Sequence, residues 1–336
     1  MREQSIAFLS FSEKGGALAE RLRRVLGGTA VCAHGVEGFS LPDWTREAFA
    51  ANGALVFVGA VGIAVRAVAP YLRSKATDPA VVAVDECGRF AVPVVSGHLG
   101  GANDLARAIA AACGATAVVT TATDANGLFA VDEWARRQDC AVVNPRNIKD
   151  ISARILAGET VSIRSAWPIT GEPPASVTLT EGPAWDVLVD VHRRRGRGLC
   201  LVPRALVLGV GCRRGTEREA LEAAFSRLCG ELELWPEAVR GAATIDRKAD
   251  EPGLLAFCAA HGWPLTVYSP EELRRAEGAF TASAFVERQV GVDNVCERGA
   301  VLSAGGPLFA GKHAGGGVTM ALAWKPFRLD WRWRDA

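Results

Sequence analysis

Ser96-Gly97-His98-Leu99-Gly100-Gly101-Ala102-Asn103 holds the densest chemistry in the chain. It follows an apolar run ending at Val95 and opens a helical pattern that reaches Cys113. Consecutive glycines let backbone N–H groups approach a ligand, and a helix N-terminus favours an anion. His98 titrates near neutral pH, which suits a general base or acid; the other reading is a structural histidine. No G-x-S-x-G frames Ser96, so a serine nucleophile is disfavoured. Ser96, Gly97, Gly100, Gly101 and Asn103 are therefore candidate substrate-binding residues around His98. Thr120-Thr121-Ala122-Thr123-Asp124 follows the next strand. Thr120, Thr121 and Thr123 could hold carboxylate or hydroxyl groups while Asp124 orients a histidine; the same hydroxyls also suit a turn or helix cap.

Two further glycine segments stand after strands. Gly59-Ala60-Val61-Gly62-Ile63-Ala64-Val65-Arg66 lacks G-x-G-x-x-G spacing and an acidic residue at ribose distance, so it is no dinucleotide loop; Gly59 and Arg66 remain candidate substrate contacts. Gly209-Val210-Gly211-Cys212-Arg213-Arg214-Gly215-Thr216 lacks the lysine of a Walker A loop. Arg213 and Arg214 would bind carboxylates in a bidentate fork, with Gly211 and Thr216 beside them. Glu297 opens a later helix and is either a pocket acid or a helix-start charge.

The elements that must position these residues repeat one rhythm through the first 135 residues: short β-branched run, glycine turn, helix. Apolar strands alternating with helices indicate an α/β fold with a mainly parallel, doubly covered sheet, whose ligands sit beyond the strands' carboxyl ends. Residues 1–135 form the first such domain. From 136 to 203, prolines separate short strands in a small middle segment. The rhythm resumes over 204–336, with Gly209 to Gly215 read as the turn between strand and helix. Tryptophans 324, 331 and 333 in the tail are expected to dock against their own domain.

With 38 basic and 37 acidic residues the net charge is +1, which disfavours a nucleic-acid partner. Nine scattered cysteines form no CxxC pair, zinc spacing or disulfide framework, so no metal ligands are assigned. No uncharged apolar run reaches membrane-spanning length and no signal peptide opens the chain; the expectation is a cytoplasmic protein with no membrane partner.

Gly59-x-x-Gly62-Ile63-x-x-Arg66, Val95 to Asn103, Thr120 to Asp124 and Asn144-Pro145 resemble the amino-terminal and middle parts of the CbiG family. Gly209 to Thr216, Thr244-Ile245-Asp246-x-Lys248-x-Asp250-Glu251 and Val295-Cys296-Glu297 resemble its carboxy-terminal domain, which also occurs alone as CobE. Arg247 departs from the pattern. The resemblance implies a cobalt-precorrin 5A hydrolase of anaerobic cobalamin biosynthesis. It would open the δ-lactone of a polycarboxylate tetrapyrrole and release a two-carbon unit as acetaldehyde. It implies no cofactor on protein ligands, since cobalt arrives inside the substrate, and transient contacts with other enzymes of the pathway. On this reading His98 is the general base, Asp124 orients it, and Glu297 is a further catalytic candidate. The alternative is a non-catalytic carrier of corrinoid intermediates.

Overall fold

The computed structural model describes residues 3–74 and 77–333. Contacts divide the chain into two units: one holds the chain up to Arg136 with Ile148–Glu159 and Trp333, the other Arg137–Asn147 and Thr160–Arg332. The 136–203 stretch is thus shared between them.

In the first unit, β1 (Glu3–Ser10), α1 (Glu13–Leu26), β2 (Thr29–Cys32), α2 (Leu41–Ala51), β3 (Asn52–Val58), α3 (Val61–Val68), β4 (Ala80–Val84), β5 (Phe90–Val95), α4 (Ala102–Cys113) and β6 (Thr116–Ala117) follow in order. The sheet runs β2-β1-β3-β4-β5-β6. Only the β4–β5 pair is antiparallel. Successive side chains of a strand point to opposite faces. Phe8, Val56 and Val82 pack with Leu22, Ala106 and Ile109 on one face, while Leu9, Leu55 and Phe57 pack with Phe49 and Val68 on the other. Burial on both faces is why these strands read as unbroken apolar runs. Three short helices complete the unit: α5 (Ala122–Ala125), α6 (Val131–Arg137) and α7 (Ile148–Leu156). The strand expected at 117–119 shrinks to Thr116–Ala117, paired with Phe90 and Ala91.

The second unit carries β7 (Cys140–Val142), β8 (Val161–Ser165), β9 (Ile169–Thr170), β10 (Val177–Leu179), β11 (Val187–Val189) and β12 (Leu199–Pro203). They form a sheet ordered β10-β8-β11-β12-β7, parallel except for β12–β7, with β9 outside it. Then come β13 (Leu206–Cys212), α8 (Arg218–Glu231), β14 (Val239–Ile245), α9 (Pro252–His261), β15 (Leu265–Tyr268), α10 (Pro270–Arg274), α11 (Ala284–Val290), α12 (Cys296–Ala304), β16 (Leu308–Gly315), β17 (Val318–Trp324) and β18 (Leu329–Asp330). β13, β14 and β15 are parallel, and antiparallel β17 and β16 extend the sheet beyond β13. The architecture is the expected α/β fold with mainly parallel sheets flanked by helices. No helix among the described residues is long and apolar enough to cross a membrane.

The glycine turn expected from Gly209 to Gly215 is shorter than that. Gly209 to Cys212 belongs to β13, and only Arg213 to Gly215 turns. Gly209 is needed for packing: a Cβ there would stand 1.7 Å from the Cys296 carbonyl oxygen of α12. The tail tryptophans do pack within the fold. Trp324 sits edge-on to Phe309 and Trp167, Trp331 is buried, and Trp333 meets Phe129.

Candidate active site

β5 ends at Val95, and Ser96 turns the chain with φ of 59°, a left-handed conformation that a non-glycine residue adopts at a cost. The chain then folds back on itself. The N–H groups of Gly101, Ala102 and Asn103 donate to the carbonyls of His98, Ser96 and Gly97. A Cβ on Gly100 would lie 2.3 Å from Ser96 Cβ and 2.8 Å from its carbonyl oxygen, so the turn closes only with glycine there, and a Cβ on Gly97 would lie 2.8 Å from Asn103 Oδ1 and push that side chain aside. Its closure uses the first N–H groups of α4, which were expected to face an anion. Among the described residues, the N–H groups of Gly97, His98, Leu99 and Gly100 donate to no backbone carbonyl.

This turn holds the His98 ring between carboxylates. Nδ1 lies 3.0 Å from Asp132 Oδ1, Nε2 lies 2.7 Å from Asp124 Oδ2, and Glu133 Oε2 is 3.6 Å from Nε2. Asn103, 1% exposed, donates through Nδ2 to both Thr121 Oγ1 and Asp124 Oδ2. Arg107 bonds Asp104 and Asp124, and Arg136 bonds Asp104; both guanidiniums stand within 4 Å of Glu133. Four carboxylates thus surround two guanidiniums, and a protonated imidazole brings the charges closest to balance.

The electrostatics follow from that arrangement. Burial works against a charged His98, but the hydrogen bond and charge of Asp132, the hydrogen bond to Asp124 and the charge of Glu133 outweigh it and raise the imidazole to about 9. Burial likewise opposes ionisation of Asp124, yet the bonds from His98 and Arg107 hold it below the ordinary carboxylate range. Glu133 moves the other way: burial, with Asp104 nearby, pushes it up to about 7. At neutral pH His98 is therefore an imidazolium with both ring nitrogens engaged. A simple base role, which needs a free neutral nitrogen, does not match this state.

A cavity of about 190 Å³ opens onto the ring, lined by Ser96, Gly97, His98, Leu99, Thr121 and Asp132. The Ser96 hydroxyl is buried there with no hydrogen-bond partner among the described residues. One donor atom each from His98, Asp124 and Glu133 lie within 4.8 Å of one another, a spacing a divalent cation could use. Arg107 and Arg136 already neutralise these carboxylates, so a metal would have to displace them.

The structure brings His98, Asp124, Ser96, Gly97, Asn103 and Thr121 together. Asn103 acts there by positioning Asp124, being bonded to it. Thr123 is buried beside Asp124 and Thr120 is exposed. Gly59 and Arg66 do not line the cavity; Gly59 donates to Val84 and Arg66 is exposed on α3. Glu297 belongs to the other unit. Its oxygens accept from Thr281 N and Oγ1, Asn294 Nδ2 and Lys312 N, which makes it a buried brace. There, Gly211, Arg213 and Arg214 line a larger cavity, whereas the Thr216 hydroxyl caps its own turn by donating to the Arg213 carbonyl. Sequence reasoning missed Asp132, Glu133, Asp104, Arg107 and Arg136. Their signal was faint: Asp104 with Arg107 and Glu133 with Arg136 at helical i,i+3 spacing.

Fold and site together define an α/β protein with a buried histidine–carboxylate cluster beside a strand-to-helix glycine turn. Residues 43–124 match the family model described as Cobalamin synthesis G N-terminal, and residues 206–323 match Cobalamin synthesis G C-terminus. A protein of Salmonella typhimurium named cobalt-precorrin-5A hydrolase is 33% identical, over 96% of this chain and 98% of its own. One of the same name from Priestia megaterium is 32% identical over 81% of this chain and 79% of its own. The crystal structure of a putative cobalamin biosynthesis protein G homolog from Sulfolobus solfataricus aligns over 96% and 98% of the two chains, at 20% identity and a TM-score of 0.42. The chain belongs to the CbiG family of cobalamin synthesis and is an enzyme of the hydrolase type.

Proposed function

We propose that this enzyme opens the δ-lactone of cobalt-precorrin-5A with water and releases the two-carbon unit as acetaldehyde, giving cobalt-precorrin-5B. The substrate is that named for its relatives. The observation that carries a chemical role is the His98 imidazole clamped between Asp132 and Asp124 at the wall of the small cavity.

In this scheme Asp132, which faces the cavity, accepts a proton as water adds to the lactone carbonyl. The unengaged N–H groups of the 97–100 turn are the donors suited to the developing oxyanion. His98 carries the proton between Asp132 and the buried pair Asp124 and Glu133, and Glu133, near 7, can store it. Lactone opening frees a hydroxyl. Loss of its proton lets the adjacent C–C bond break, the hydroxyl carbon leaving as the aldehyde and its electron pair staying on the ring system. The stored proton then goes to the ring carbon that kept the electron pair, so one water is consumed for each acetaldehyde released. Cobalt enters as part of the substrate, and no step calls on a metal held by the protein.

The test is a single-turnover reaction of the full chain with cobalt-precorrin-5A, with acetaldehyde trapped and quantified. Release in step with loss of substrate supports the scheme. Binding without aldehyde would make the protein a carrier.

A further inference from the structure

The larger cavity lies wholly in the second unit and encloses about 590 Å³. Its walls are chemically one-sided. Arg213, Arg214, Lys248 and Lys312 line it, and among the described residues no aspartate or glutamate does. Lys248 is answered by Glu251 at 2.7 Å, but among the described residues no salt bridge involves Arg213, Arg214 or Lys312. Between the cations runs an apolar surface. Phe285, Val286 and Val290 on α11 line it; Val286 and Val290 are half-buried against the core of Ile245, Leu273, Val292 and Val295, and Phe285 alone of the three is left exposed. Phe285 is 66% exposed, a large ring held in water beside a half-open cavity.

We infer that this cavity is a binding site for a flat polycarboxylate ring, separate from the His98 centre, with the ring against Phe285 and its acid arms on Arg213, Arg214 and Lys312. Cations beside an apolar wall select an amphipathic anion: arginine pairs with carboxylates through two parallel hydrogen bonds, and the aromatic face takes up the ring. A phosphate would use the cations but leave the Phe285 ring in water. The choice of a tetrapyrrole as that ring rests on the proposed substrate; the anionic, planar class rests on the cavity itself.

Uroporphyrin III, with eight carboxylates, is the probe, titrated into the full chain and followed by fluorescence quenching. Binding should weaken as salt rises. The triple variant Arg213→Ala, Arg214→Ala, Lys312→Ala should bind on the order of tenfold or more weakly, equivalent to about 1.4 kcal/mol. Ala314→Trp fills the cavity without changing charge and should weaken it too. Both sets lie at exposed or half-exposed positions, and unchanged thermal melts establish that they fold. His98→Asn should bind uroporphyrin as the parent does while releasing acetaldehyde from cobalt-precorrin-5A about 100-fold more slowly, so loss of the hydrolase reading and loss of this site are read separately. Parent-like affinity in both cavity variants, or no binding by the parent protein, overturns the inference.

Discussion

The Nε2 atom of His98 and the Asp124 carboxylate lie 2.7 Å apart, although one comes from the turn before α4 and the other from the short helix α5. Asn103 holds the Asp124 side of that pair, and Asp132 holds the opposite ring nitrogen. His98→Asn keeps polarity but cannot carry a proton. It should lower kcat by about 100-fold, the scale expected for a positioned acid–base group, with KM little changed. Asp124→Asn should cost less, since Asp132 still faces the cavity. Parent-like turnover by His98→Asn, measured as acetaldehyde released, would remove histidine from the chemistry.

The same environment sets a pH dependence of stability. His98 titrates at about 9 when folded against an ordinary 6.5, so its stabilisation is complete below 6.5 and gone above about 9. The full effect is on the order of 3 kcal/mol. Glu133, also raised, binds its proton more tightly when folded, so it adds a decline in stability as pH rises from 4.5 to about 7. Urea melts should show stability falling from pH 6.5 to 9, and His98→Asn should flatten that slope. Equal slopes would show that the clamp does not hold the proton.

Glu297 was a catalytic candidate, and its four donors now argue for a brace. Glu297→Gln turns an amide N–H₂ toward groups that themselves donate. It should cost about 3 kcal/mol of stability, because a buried charge-assisted network is left with clashing donors. Acetaldehyde release per folded molecule should be unchanged. A variant as stable as the parent but slow to turn over would return Glu297 to the chemistry.

Gly209 and Gly230 predict opposite signs for one substitution. Gly209→Ala drives a Cβ into the Cys296 carbonyl and should lower stability by about 3 kcal/mol as α12 is forced from β13. Gly230 is exposed within α8, and a Cβ added there would meet nothing within 4 Å. Gly230→Ala should therefore stabilise by about 0.5–1 kcal/mol. Differential calorimetry on the pair reads both, and a stable Gly209→Ala would refute the close contact.

Periodicity made the central architecture legible. Apolar runs such as Leu55 to Val58 point to strands buried on both faces, and α4 stands where its alanine-rich pattern and flanking glycines put it. β2 and α2 were missed; β2 alternates exposed with half-buried positions at the sheet edge, too short a signal to read. At the site, the glycine turn exposed His98 because position and residue type agree. Asp132 and Glu133 looked like ordinary acidic helix-start residues, and only tertiary folding reveals that their carboxylates meet an imidazole. Gly209 misled for a related reason: a glycine demanded by a helix above a strand looks, in one dimension, like a glycine that makes a turn.

α7 packs against α5, the short helix that carries Asp124, and buries Ile148, Ile151 and Ile155. It belongs to the first unit although Arg137–Asn147, which precede it, belong to the second. During synthesis, then, every residue of the His98 cluster is joined into the chain before the helix that backs Asp124 is made. A gene fragment cut at the apparent boundary near residue 135 would encode His98 and its carboxylates without that support, and also without Arg136. A stand-alone version of this half should instead graft residues 148–159 back on through a short linker.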